Sequence, residues 1–214
     1  MSNTNKTIVA WDNHYKKDKS QLSFPDENLV RMLSRIPVDT KSSSKQLALD
    51  LGAGSGRHSK LLSQFGWETI AADYSEEAIQ QIQNNLQNIK TILVTEPPYP
   101  FDNDSLDLVV GWGILHYNTD QMITKIISEI IRILKPGGYF MGTLRSSQDT
   151  HLNPNSNNEM ELTDLKGGYV RLFSEDDLNR FLKDFSEIKI GYMERTPLGE
   201  LDKVIAHYFF QARK

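Results

Sequence analysis

Leu47-Ala48-Leu49-Asp50-Leu51-Gly52-Ala53-Gly54-Ser55-Gly56 is an apolar run that closes on an acidic residue and then places glycines at alternate positions before a helical pattern. It reads as a strand whose tip turns sharply enough for a bound ligand to touch backbone. Glycine suits these positions because a Cβ would obstruct either the turn or the ligand's approach. Ile70-Ala71-Ala72-Asp73 ends a second short apolar run roughly twenty residues on, which puts the Asp73 carboxylate at the neighbouring strand tip, positioned to accept both hydroxyls of a ribose. The two motifs together predict a nucleoside-containing cofactor.

Spacing separates the candidate cofactors. The dinucleotide fingerprint G-x-G-x-x-G reserves its third glycine for close packing of helix on strand, with the pyrophosphate at the helix N-terminus. Here the third glycine arrives one residue early, at Gly56, and Arg57 stands where the dinucleotide pattern needs glycine. NAD is therefore disfavoured. With Asp50 just before it, the loop resembles motif I of the class I S-adenosylmethionine-dependent methyltransferases, in which it touches the methionine part of the cofactor.

Composition sets outer limits. A chain of 214 residues suits one domain with a sizeable core. There is no cysteine, so neither a disulfide framework nor a thiolate metal site is available. The first residues are polar and no apolar run approaches membrane-spanning length, so a cytoplasmic protein with no membrane partner is expected. A net charge of -4 and a pI near 5.7 oppose a broad electrostatic grip on nucleic acid.

The chain alternates strand and helix signals. Strands are expected over residues 47–51, 68–73, 91–95, 106–110 and 139–144, with helices between them. One helix begins at the N-cap Ser75, and another carries the stripe Met122, Ile123, Ile126, Ile127, Ile130, Ile131 and Leu134, ending before Pro136-Gly137-Gly138. Ser174 and Asp177 predict a capping box. Residues 188–193 and 204–212 then read as consecutive strands, hence antiparallel. The expected fold is α/β and Rossmann-like: a seven-stranded, mostly parallel sheet with a C-terminal antiparallel hairpin and helices on both faces.

The methyltransferase resemblance extends along most of the chain. Residues 100–109 look like the family's approach to the fourth strand, Leu134-Lys135-Pro136-Gly137-Gly138 is similar to its turn before the fifth, and Trp11-Asp12-Asn13-His14-Tyr15 resembles the aromatic segment that caps the cofactor in many small-molecule methyltransferases. Gly56-Arg57-His58-Ser59 and the tail Ala212-Arg213-Lys214 also resemble the tellurite-resistance methyltransferases. The resemblance implies S-adenosyl-L-methionine as cofactor, bound by Trp11 and Tyr15, by Asp50, Gly52, Ala53, Gly54 and Gly56, by Asp73 and Tyr74, and by Gly111 and Trp112. On the adenine side the acid is expected near Thr95, and Glu96 is preferred because its carboxylate accepts from an amine; recognition by backbone alone is the alternative. Glu96-Pro97-Pro98-Tyr99 looks like the acceptor motif of amino-methyltransferases, but it follows the third strand instead of the fourth and reads as a rigid turn.

His116, in Gly111-Trp112-Gly113-Ile114-Leu115-His116-Tyr117, is the candidate general base, since imidazole titrates near neutral pH. Its alternative role is to orient a loop or pack beneath the cofactor. Arg145, Arg171 and His207 are candidate substrate residues, each also explicable by surface ion pairing. No metal-ligand spacing, nucleophile elbow or Walker loop appears, and no metal site is expected. The resulting expectation is methyl transfer to a small polar molecule through oxygen, with sulfur or another chalcogen behind it, under a lid made of the N-terminal segment (residues 1–45) and an insertion at residues 146–169. Alternatives are a methyltransferase acting on protein or tRNA and a non-catalytic S-adenosylmethionine-binding regulator; a monomer or homodimer is expected.

Overall fold

A computed structural model describes residues 11, 13–14, 22–36, 38, 45–152, 154–155, 158 and 168–214. Seven strands form one sheet: β1 (Leu47–Leu51), β2 (Glu68–Asp73), β3 (Lys90–Leu93), β4 (Leu106–Trp112), β5 (Leu134–Arg145), β6 (Glu187–Arg195) and β7 (Ile205–Arg213), in the order β3-β2-β1-β4-β5-β7-β6. The pairs from β3 to β5 are parallel, whereas β7 runs antiparallel to both β5 and β6. The tips of β1, β2, β4 and β5 therefore open on one end of the sheet, where parallel sheets of this kind bind ligands.

Alternation along the strands sends side chains to two apolar layers. Leu49, Val109 and Phe140 pack with Ile123, Ile127 and Phe181 from α4 (Asp120–Ile133) and α5 (Glu175–Leu182). Their chain neighbours Ala48, Leu108, Val110 and Met141 face the opposite way, against Leu29 and Leu33 of α1 (Glu27–Leu33) and Leu61 and Leu62 of α2 (Arg57–Gln64). Between β2 and β3 lies α3 (Glu76–Asn85), capped by Ser75, whose hydroxyl accepts from Ala78 N. Ser174 and Asp177 make the reciprocal capping box at α5.

The structure revises two boundaries. β3 ends at Leu93, so Thr95 and Glu96 lie beyond the strand and are exposed. β5 starts directly after α4 and takes in Pro136-Gly137-Gly138. Leu106 pairs with Leu134 and Leu108 with Tyr139, so a bulge absorbs the extra residues. A Cβ on Gly138 would stand 2.9 Å from Lys135 O and 3.1 Å from Asp107 O, so the glycine here permits the close approach that the bulge needs.

At the far edge of the sheet, Gly191 on β6 faces Phe209 on β7. A Cβ there would lie 2.2–2.8 Å from the phenyl ring. Gly191→Ala should therefore destabilise the protein by about 1–3 kcal/mol, read as a lower urea midpoint at unchanged slope, and the loss should vanish in a Phe209→Ala background.

Candidate functional site

The loop after β1 turns through left-handed backbone at Gly52, Gly54 and Gly56. Its start is fixed by Gly52 N and Ala53 N, which donate to Ala72 O at 2.7 and 3.0 Å. A Cβ on Gly52 would lie 2.1 Å from Ile114 Cγ2, and one on Gly56 would lie 2.8 Å from Leu86 Cδ1 and 2.9 Å from Ile82 Cγ1. At these two positions the space that glycine leaves is filled by the protein. The alternate glycines thus set how closely β1's tip packs on the segment after β4 and on α3, a role that spacing alone assigned to the ligand.

Two buried carboxylates hold this turn. Asp73 accepts from Gly54 N at 2.8 Å and from Ser75 N at 2.9 Å, tying the glycine loop to the start of α3. Asp50 accepts from Ser59 Oγ of α2 at 2.6 Å. Burial pushes the Asp50 carboxyl up to about 6, with Asp73 adding to the shift and the Ser59 bond opposing it.

Side chains of the same loop reach the N-terminal segment. Ser55 Oγ donates to Leu22 O at 2.6 Å and Arg57 Nη1 to Phe24 O at 3.0 Å. His58, buried under the segment, accepts from Asp26 N at 3.3 Å and meets Trp112 edge-on at 5.8 Å. Burial, with the neighbouring Arg57 charge, pushes His58 down to about 3, so it stays neutral and able to accept. These grips were missed in the sequence, where Arg57 stood out only for not being glycine. Trp112 packs into the layer beside α1 and α2, and Gly111 sits between Ile114 and Phe140.

The segment after β4 continues into a short turn at Leu115–Tyr117. His116 is 2% exposed, and its Nδ1 has no hydrogen-bond partner among the described residues. Burial holds it well below the ordinary histidine range, with the neighbouring His207 and Arg145 acting in the same direction. The His116 and His207 rings lie 6.1 Å apart. Arg145, paired across from His207 in the β5–β7 ladder, brings Nη1 to 3.4 Å from His207 Nε2. Its Nε is 2.5 Å from Asp149 Oδ2. Asp149 itself accepts from Leu152 N and Ala206 N, at 2.8 and 2.9 Å. His116, His207 and Arg145 are thus brought together, with Asp149 as a member that sequence reasoning missed.

Arg171 is a correction. Its backbone N donates to His116 O at 2.8 Å, but its guanidinium is spent on Asp120 and Asp177 and lies 4.3 Å over the Phe173 ring. The side chain pins α5 to the start of α4 and is not among the cluster around His116. Above that cluster, Trp11 stands edge-on to Tyr117 at 5.0 Å, and both pack with Leu152 and Val170. Tyr15 lies outside the described residues.

A family model described as a methyltransferase domain matches residues 48–138. The chain is 29% identical over 136 residues to phosphoethanolamine N-methyltransferase 3 of Arabidopsis thaliana, covering 61% of this chain and 28% of that protein. It is also 29% identical over 128 residues to demethylmenaquinone methyltransferase of Clavibacter sepedonicus, covering 58% and 50%. A solved SAM-dependent methyltransferase from Methanosarcina mazei superposes with a TM-score of 0.66 at 19% identity, covering 86% of this chain and 96% of that one. Residues 48–138 are thus a methyltransferase domain of the S-adenosylmethionine-dependent kind. Its cofactor is S-adenosyl-L-methionine. The chain spans half or less of the length of these curated relatives, and the likeness to the solved structure concerns the fold.

The methyltransferase's buried acid and histidine act oppositely on stability. Asp50, raised from 3.8 to about 6, favours the fold fully below its unfolded value, and that contribution disappears as pH rises through about 6. His58, lowered from 6.5 to about 3, loses its contribution as pH falls across that window. Unfolding wild type and Asp50→Asn in urea between pH 4 and 8 isolates the first effect. The stability of the variant relative to wild type should rise with pH between 4 and 6 by about 3 kcal/mol at most, and level off above.

Proposed function

We propose that the protein transfers a methyl group from S-adenosylmethionine to a hydroxyl oxygen of a small polar molecule. The observation that carries this reading is the packing of Trp11, Tyr117, Leu152 and Val170 next to His116. That apolar contact joins Trp11 to residues 146–152 and Val170, and it supports an acceptor small enough to be enclosed there. The relatives named for phosphoethanolamine and for demethylmenaquinone act on unlike acceptors, so the acceptor's chemistry is read from this chain's own residues.

The cofactor supplies an electrophilic methyl carbon on a sulfonium that is already a good leaving group, which leaves alignment as the protein's main task. We assign its binding to the glycine loop with Asp50 and Asp73, to Tyr74, and to the segment after β4. On the adenine side, Glu96 is assigned over Thr95 because its carboxylate accepts from an amine. The fit rests on the left-handed turn at Gly52, Gly54 and Gly56, and on Asp73 standing at the tip of β2 against that turn.

His116 is assigned to accept a hydrogen bond from the acceptor hydroxyl through Nδ1. An oxygen nucleophile must lose its proton as it bonds to carbon, and a neutral imidazole nitrogen without a partner suits that hydrogen. Burial that keeps the ring neutral also makes imidazolium costly. This alters the expected role: His116 orients the hydroxyl while the O–C bond forms and the S–C bond breaks, and the resulting protonated ether gives its proton to water as the product leaves.

Two measurements test the assignment. Asp73→Ala should weaken S-adenosylhomocysteine binding by about 1.5–3 kcal/mol in calorimetric titration; unchanged affinity in a folded variant would remove Asp73 from the cofactor site. His116→Ala should slow methyl transfer by about tenfold, the worth of one aligned hydrogen bond, with cofactor affinity unchanged. The wild-type rate should show no histidine inflection between pH 6 and 8. A loss of a hundredfold or more together with an inflection near 6.5 would make His116 the base.

A further inference from the structure

We propose that the acceptor is an anion, a small acid whose carboxylate or other oxyanion is held by Arg145 and His207 while its hydroxyl meets His116. The inference rests on the methyl-transfer reading above and adds the charge class of the substrate.

The argument begins with Asp149. It is 4% exposed, and its two oxygens are spent on Leu152 N, Ala206 N and Arg145 Nε. The ion pair with Asp149 lies on the Nε side of the guanidinium, while Nη1 stands 3.4 Å from His207 Nε2. A guanidinium presents its donors in a rigid planar fork, which matches the paired oxygens of a carboxylate. Holding a side chain of this kind with only 12% of its surface exposed is costly, and its Nη1 faces an imidazole rather than a second carboxylate.

His207 is neutral here, held down to about 4 by burial and then by the Arg145 charge. Its ring therefore carries one N–H and one accepting nitrogen. Beside a cation, an oxyanion is the ligand that both Arg145 and a donor N–H of His207 can serve at once. His116 differs from this pair. Its ring bonds to the Thr143 backbone, while Nδ1 is buried without a partner among the described residues. In a neutral ring that donates through one nitrogen the other is an acceptor, so Nδ1 calls for a hydroxyl or amine hydrogen. The two demands stand side by side, with the histidine rings 6.1 Å apart. A molecule carrying an oxyanion next to a hydroxyl satisfies both.

The test uses the full chain and tritiated S-adenosylmethionine. A small-molecule filtrate of the source cells is divided by anion exchange into retained and unretained fractions, and label transfer is measured with each. Transfer is expected in the retained, acidic fraction. The same fraction should raise the melting temperature of the S-adenosylhomocysteine-loaded protein, a readout independent of turnover. Arg145→Gln should raise the half-saturating amount of that fraction at least tenfold while cofactor affinity stays unchanged, and Arg145→Lys should recover part of the loss. Where Arg145→Gln folds poorly, Arg145→Gln with Asp149→Asn removes the unpaired buried carboxylate and carries the same expectation. Rechromatography of the active fraction with phosphatase treatment separates a phosphate ester from a carboxylic acid. Transfer confined to the unretained fraction, or Arg145→Gln behaving as wild type, overturns the anionic acceptor and leaves methyl transfer standing. No transfer from any fraction, with S-adenosylhomocysteine still bound, overturns methyl transfer to a small molecule and this inference with it.

Discussion

The bond from Gly54 N to Asp73 Oδ2 is the constraint on which the site depends. It joins the turn after β1 to the tip of β2, and through Ser75 N the same carboxylate anchors the first turn of α3. Gly56 then packs on Ile82 and Leu86 of the regions that follow, and Gly52 packs on Ile114 beyond β4. Loop, helix and post-β4 segment thus share one geometry. Moving the glycine loop by the width of a methyl group would displace Ile114, and with it the short turn that carries His116.

A second consequence concerns the buried ionisable groups. Asp50, Asp73, His58, His116, Asp149 and His207 cluster at one end of the sheet, where a purely structural core would place apolar side chains. Burial disfavours charge on four of them, raising the acid Asp50 and lowering His58, His116 and His207. Neutral histidines accept as well as donate hydrogen bonds. His58 uses this to receive Asp26 N, whereas Nδ1 of His116 has no such partner among the described residues. The two imidazoles are similarly buried and differ in that bond.

Local signals carried most of the fold. Alternating apolar runs, the N-cap Ser75 and the Ser174–Asp177 box are decided within a few residues, and the strands and helices formed where those signals stood. Pro136-Gly137-Gly138 misled because a turn signal and a bulge signal use the same residues; pairing with β4 decides between them. The candidate site was legible as a local pattern in the glycine loop and Asp73, whose turn the structure contains, and opaque where contacts span the chain. Arg145, Asp149 and Ala206 meet only because β7 pairs with β5, and no spacing in the sequence announces that. Arg171 shows the converse: a lone cation in a loop looks the same whether it faces a ligand or, as here, Asp120 and Asp177.

The N-terminal segment links these parts. Ser55 and Arg57 belong to the glycine loop yet donate to Leu22 O and Phe24 O, so the elements that shape the cofactor turn also hold the chain leading into α1. Further toward the N-terminus, Trp11 packs on Tyr117, one residue past His116. These contacts place one N-terminal stretch against the glycine loop and Trp11 against the turn that carries His116. Displacing the glycine loop would pull on Leu22 and Phe24, and rearranging that turn would shift Trp11.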